Sequence, residues 1–305
     1  MSHIVKKHLS MHIRRTTVGC GVQGNDCLAL AVKGREGAWR IAWGLYGRRG
    51  DKEFARELRG RVWRRPLWAP PWDSSAEQEA VVCQVDLDLS QRKQAVPVSV
   101  RVARAALRTQ VMGRFSFAAE PAVLRGLEMV GPEGARHLIG AVARVGMMDR
   151  EYSVWRKEFS IIHPHVGSSA AALANAYLAL YPADRRRAAP DRMLALEGRE
   201  TTHAVLMRDW RLVDAIQYEM PEGQCLDTTL MDQWLRYFQT QYRLADLPTP
   251  CVIRSREKHS LEESVEVWSP FDGKPPIVID PAVLTLIREH ADLAPLAFGM
   301  ALQGG

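Results

Sequence analysis

One pattern occurs twice in this chain of 305 residues. Each time a strand, a tight polar turn, a second strand, another turn and a third strand lead into a helix. In the first copy the β-favouring runs Thr16-Thr17-Val18 and Leu28-Ala29-Leu30-Ala31-Val32 flank residues 19–27, whose Gly24-Asn25-Asp26 is a strong turn signal. That combination predicts a hairpin. After a turn over 33–37, residues 38–45 resume as a strand. Residues 51–62 then set Phe54, Leu58 and Val62 at steps of four behind Asp51, the stripe and start signal of an amphipathic helix. The second copy places strands at 193–196 and 203–207 around Glu197-Gly198-Arg199-Glu200. A third strand over 210–218 follows, and Pro221-Glu222-Gly223 precedes a helix over 226–242. Two copies this far apart indicate a duplicated α/β fold rather than a short-period array.

Between the copies, residues 81–89 alternate as a half-buried strand and 96–102 resemble another. Residues 137–145 read as a strand, 149–159 as a helix, 160–166 as a short strand and 168–181 as an Ala-rich helix, an order that implies a parallel sheet with crossover helices. Residues 182–192 contain Arg185-Arg186-Arg187 and suit an exposed linker; a phosphate or acidic headgroup contact is the less favoured reading. The length favours two structural units, and 47% hydrophobic with 25% charged residues is a globular composition.

No run of about 18 apolar residues occurs, so no helix of this chain is expected to span a bilayer. Residues 1–15 carry Lys6, Lys7, Arg14 and Arg15 without an apolar run of signal-peptide length, and are expected to be a partly disordered lead-in. Cys20, Cys27, Cys83, Cys225 and Cys251 show no metal or disulfide spacing and read as reduced intracellular thiols. Cys20 and Cys27 can face each other across the hairpin, as buried packing residues in preference to a bridge. The formal charge of +6 suits nucleic acid, an anionic membrane face, an acidic protein partner or a plain solvated surface, and does not choose among them.

Three constellations have both a functional and a plain reading. His163-Pro164-His165, with His137, offers imidazoles but no carboxylate or thiol at ligand spacing, so strand-end histidines are expected. Ser168 and Ser169 follow Gly167 without the spacing of a nucleophile elbow and read as a helix cap. The stretch 63–72, with Trp63, Trp68, Trp72 and three prolines, either docks a partner or caps the core of the first copy. No basic, aromatic-interleaved motif for nucleic acid is found.

Two hairpins facing each other from duplicated halves resemble the actin-like (ribonuclease H-like) ATPase fold, where each turn cradles nucleotide phosphates with backbone N–H groups. Within it the chain resembles the PilM family of type IV pilus proteins and the related cytoplasmic domain of the type II secretion L protein. The resemblance is carried by Gly19-Cys20-Gly21-Val22-Gln23-Gly24 as a first phosphate loop, and by Ser160-Ile161-Ile162-His163-Pro164-His165 with the Ala-rich helix closing the first half. Ala195-Leu196-Glu197-Gly198-Arg199-Glu200-Thr201-Thr202 is similar to the second loop. Gln217-Tyr218-Glu219-Met220-Pro221-Glu222-Gly223 and the closing helix from Pro295 to Leu302 complete it.

The resemblance implies an α/β fold of two actin-like halves with a cleft between them. The halves would be residues 16–184, with an inserted subdomain at about 47–135, and residues 193–305, joined by a linker at 185–192. It places degenerate phosphate loops at Gly21, Gln23, Gly24, Asn25 and Asp26 and at Gly198, Arg199, Thr201 and Thr202. Where the family carries Asp and Gly, this chain has Gly21 and Gln23 in the first loop and Ala195 and Glu197 in the second. The acids are needed to hold a metal beside the phosphates, and Glu197 would repel a phosphate. A Gly-rich adenosine turn is likewise replaced by Arg254-Ser255-Arg256-Glu257-Lys258.

The implied protein is a cytoplasmic adaptor at the inner-membrane face, with no catalytic residues, metal or cofactor. It binds the N-terminal peptide of a PilN-like membrane protein within the pilus or secretion machinery. The peptide groove is expected between the inserted subdomain and the 168–181 helix. The alternatives are an ATPase or sugar-type kinase on the same fold, using ATP and magnesium, and a non-pilus structural protein binding nucleic acid through its basic surface.

Overall fold

The first hairpin is formed by β1 (Thr16–Gln23) and β2 (Asp26–Lys33), paired antiparallel from Thr16↔Lys33 to Gln23↔Asp26. Its turn is only Gly24 and Asn25, with Gly24 at φ 55°, a conformation that glycine adopts without steric cost. Residues 19–23, expected in the loop, therefore belong to the strand. This computed structural model describes residues 16–34, 38–63, 65–72, 81–86, 122–130, 136–181, 191–198, 201–208, 211–221, 226–253, 265–272 and 275–302.

From the hairpin the chain continues into β3 (Arg40–Arg48) and α1 (Lys52–Val62), whose N-cap Asp51 accepts from the amides of Glu53 and Phe54. β4 (Leu67–Ala69) follows. Next come β5 (Val81–Asp86), β6 (Ala122–Val130), β7 (Arg136–Arg144), α2 (Val145–Lys157), β8 (Pro164–Val166) and α3 (Ser169–Leu180). The second copy is β9 (Asp191–Leu196), β10 (Thr201–Arg208), β11 (Arg211–Glu219) and α4 (Thr228–Tyr242). After it lie β12 (Thr249–Ile253), β13 (Glu266–Trp268), β14 (Val278–Ile279), α5 (Pro281–Glu289) and α6 (Ala294–Leu302).

The duplication is explicit in the sheets. One runs β14-β3-β2-β1-β4-β8 and the other β11-β10-β9-β12-β13. Counted from β1 or from β9, each has the order third, second, first, fourth, fifth. The first three strands are antiparallel, and the last two lie parallel to the first. A separate antiparallel sheet, β5-β7-β6, is inserted between β4 and β8.

Two expectations change. The strand at 136–144 joins this separate sheet, so the parallel neighbour of β8 is β4. The stretch 63–72 supplies that neighbour and core, since Trp72 is buried and stacks on Phe159, although Trp63 is exposed. The strand expected at 96–102 lies outside the described residues.

Both large sheets are covered on both faces. Val18, Cys20 and Val22 of β1 and Cys27, Ala29 and Ala31 of β2 pack with Phe54 and Leu58 of α1 and Trp155 of α2. The opposite face of β2, Leu28, Leu30 and Val32, shares one core with α3, α5, α6 and the inner face of the second sheet, including Leu194, Leu196, Val205 and Ile253. The outer face of the second sheet packs on Leu226 and on Met231, Trp234 and Phe238 of α4. α3 and α6 thus form a helical layer between the two sheets. Both are apolar nearly all round, as a helix enclosed by protein must be. Although β14, α5 and α6 fall within 193–305, β14 extends the first sheet, α5 packs on β3, and α6 packs on β1 and β2.

Glycines set how close this layer comes. A Cβ at Gly299 of α6 would overlap the Ala172 carbonyl of α3, and one at Gly19 of β1 would overlap the Ala297 carbonyl and the Ala301 amide. Two backbones approach here with no room for a methyl group. Gly299→Ala is therefore expected to lower stability by about 2–3 kcal/mol, the cost of overpacking a closed core, read as a lower denaturant midpoint.

Buried His203 in β10 makes stability depend on pH, because burial lowers its imidazole pKa from 6.5 to about 4. The unfolded chain takes up this proton more readily than the folded one. The contribution is complete above pH 6.5 and is lost as pH falls towards 4, by up to about 3 kcal/mol at about 1.4 kcal/mol per pH unit. Replacing His203 by Leu is expected to flatten the fall in melting temperature between about pH 7 and pH 4.5 relative to the wild type.

Candidate functional site

The two hairpin tips meet. Gln23, the last residue of β1, is buried, and its side-chain amide lies against the backbone of Gly198, just after β9, so closely that a Cβ at Gly198 would overlap it. Thr201 and Thr202 open β10 and are buried, whereas Arg199 lies outside the described residues. Gly24 and Asn25 form the first turn, and the Asn25 carbonyl accepts from the Arg49 amide at 2.8 Å.

Gly21 sits inside β1 rather than in a loop. A Cβ there would overlap the Leu293 carbonyl oxygen at the start of α6. The position where the resemblance implies an acid therefore has no room even for the first carbon of an aspartate. The nearby acids are engaged in other contacts. Asp26 Oδ1 accepts from the Tyr46 hydroxyl at 2.7 Å and from Arg48 Nε at 2.9 Å, while Glu197 Oε1 accepts from the Leu226 amide at 2.9 Å. Partial burial and the bond to Asp26 raise the Tyr46 phenol pKa, so it remains a donor at neutral pH. Tyr46 also stacks on His290, with ring centroids 3.6 Å apart, which ties this corner to the segment between α5 and α6.

A second concavity lies between α2 and β8, a cavity of about 670 Å3. Asp149, Tyr152, Ser153, Arg156 and Lys157 line it from α2, and His163, Pro164 and His165 from the strand side. The α2 residues recur at steps of three and four, so they occupy one face of the helix. The opposite face is fastened. Glu151 accepts from the Trp72 amide at 2.7 Å, Trp155 is fully buried beside Trp72 and Phe159, and Glu158, just past the helix, makes two bonds to Arg49 at 2.8 and 2.6 Å. The Arg49 guanidinium holds the Glu158 carboxyl below its ordinary range. His165 is positioned by stacking on Trp68, 4.7 Å between centroids.

The two histidines noted in the sequence thus share a cavity wall, and among the described residues no group of three or more His, Cys, Asp or Glu is arranged to hold a metal. Sequence reading missed the α2 wall. Its signal was the polar stripe at 149, 152, 153, 156 and 157 on a helix otherwise read only for its existence.

Duplicated sheets, an inserted sheet and two facing hairpin tips define a duplicated actin-like, ribonuclease H-like fold. The particular form is PilM-like: a solved PilM–PilN type IV pilus biogenesis complex aligns over 95% of this chain and 99% of that one at a TM-score of 0.60, with 13% identity. A Bacteroides thetaiotaomicron protein of actin-like ATPase fold (8% identity, 79% of this chain and 81% of that one, TM-score 0.38) also matches. So does an Aquifex aeolicus Ppx/GppA family member (8%, 79% and 66%, 0.34), and at such scores neither adds weight. No family model and no curated sequence matches the chain.

The contact between the tips is testable by a double-mutant cycle. Gly198→Ala is expected to cost about 1 kcal/mol, most of it relieved when Gln23→Ala is added, for a coupling of at least about 0.5 kcal/mol in chemical denaturation.

Proposed function

We propose that this chain is a PilM-like adaptor in type IV pilus or type II secretion assembly. In this reading it binds the extended N-terminal peptide of a PilN-like inner-membrane protein and does not hydrolyse ATP. It is held at the cytoplasmic face of the inner membrane by that partner; among the described residues no helix is long and apolar enough to cross a membrane.

The observation that carries this reading is the cavity between α2 and β8. It lies where the chain returns from the inserted sheet to the first large sheet, immediately ahead of α3, and β8 is the end strand of that sheet among the described residues. The Gly167 amide donates to the Ala69 carbonyl at 2.8 Å, so by alternation the backbone groups of residues 165 and 167 face β4 and those of 164 and 166 face outward. Pro164, which has no N–H to offer, stands at an outward position, where an edge strand tolerates it. An end strand beside a cavity of this size suits an extended peptide, with backbone bonds to the strand and side chains in the cavity.

The reading without hydrolysis is supported by the tips. α6 covers Gly21, the Gln23 amide rests on Gly198, and Asp26 and Glu197 have their carboxylates in hydrogen bonds within the fold.

The test is titration of the purified chain with N-terminal cytoplasmic peptides of the bitopic membrane protein encoded beside it. Micromolar binding is expected, abolished by Ser153→Trp, which fills the cavity without changing the melting temperature. Indifference to Ser153→Trp would remove the cavity from the proposal. Titration with magnesium and ATP is expected to give a flat calorimetric trace, and measurable binding heat would overturn the nucleotide-free part.

A further inference from the structure

We propose that the segment taken by the cavity between α2 and β8 is acidic, with an Asp or Glu side chain received by Arg156 and Lys157. This rests on the reading of the cavity as a peptide groove and adds the chemistry that selects the peptide.

The inference comes from how the charges of α2 are apportioned. Its acid Glu151 is buried and bound to the Trp72 amide, and the adjoining Glu158 is paired with Arg49 at the surface. Of its three cations Arg150 is exposed away from the cavity lining, while Arg156 and Lys157 line the cavity, and among the described residues neither of these two is in an ion pair. Among the described residues the one acid on the wall is Asp149, so the Asp, Arg and Lys side chains that line the cavity among them sum to a positive charge. Arg156 is also placed in advance: its guanidinium sits over the Tyr152 ring, 5.8 Å from the centroid, so less freedom is lost when it takes a carboxylate. Ser153 adds a hydroxyl to the same wall that can donate to the same oxygens.

A peptide fits better than a small free anion. The cavity of about 670 Å3 far exceeds what an inorganic anion fills, and its wall includes Tyr152, Pro164 and the His165 ring stacked on Trp68. Such faces suit the backbone and neighbouring side chains of an extended segment, while the cations choose among segments by charge.

The experiment selects binders from a displayed random octapeptide library with the full chain, and repeats the selection with an Arg156→Gln/Lys157→Gln variant and with Ser153→Trp. The expected result is an excess of Asp and Glu in the wild-type binders. Changing that acid to its amide should weaken binding about tenfold at low ionic strength, an effect that shrinks as salt is added. The double variant should bind acid and amide peptides equally. Binders without an acidic excess that are still lost in Ser153→Trp would overturn the acidic selection and leave the groove standing. An acid preference that survives in the double variant would also overturn it. Recovery of no binders, or of binders indifferent to Ser153→Trp, would overturn both readings.

Discussion

The close approach of α6 to its neighbours is the constraint on which the rest of the structure depends. Its backbone lies on β1 through Gly19 and Gly21 and against α3 through Gly299, at separations that leave no space for a Cβ. Because α3 and α6 fill the layer between the two large sheets, this contact sets how the duplicated halves sit together and how their cores merge. Dispersion between closely packed backbones is favourable only over a narrow range of distance, so such a layer tolerates little change in volume.

The same contact determines what the hairpin tips can be. In this sequence Gly21 resembles a phosphate-loop position that has lost its acid, but the structure gives the glycine a packing reason: the Leu293 carbonyl occupies the space. Gln23 likewise rests on Gly198, and Asp26 and Glu197 are drawn into bonds with Tyr46, Arg48 and the Leu226 amide. Each of these side chains has a contact within the fold. The cavity along α2 has its inward face secured by Glu151 and Trp155 and, one residue past the helix, by Glu158, so that its polar face is presented on a rigid support. A surface held in this way can select a partner at small entropic cost.

The duplicated strand, turn and helix pattern was legible in the sequence because it depends on local signals. Gly24-Asn25 turns the chain, Asp51 caps α1, and Phe54, Leu58 and Val62 mark its buried stripe. The Leu67–Ala69 strand was not legible, because three residues amid prolines and tryptophans carry no period and only pairing with β1 and β8 makes them a strand. The extent of β1 was obscured for a related reason. Its glycines read as loop formers, yet they serve helix packing on a strand buried on both faces.

Of the site, the residues at both tips and the two histidines could be named in advance, but their relations could not. That Gln23 reaches Gly198, that His163 and His165 share a wall with Arg156 and Lys157, and that Gly21 lies under α6 are contacts between segments far apart in the chain. By itself the sequence determined the elements and their duplication, since hydrophobic period and turn chemistry act over a few residues. Only the tertiary structure decided which polar groups are committed to the fold and which face a cavity, because that depends on the packing of distant backbones.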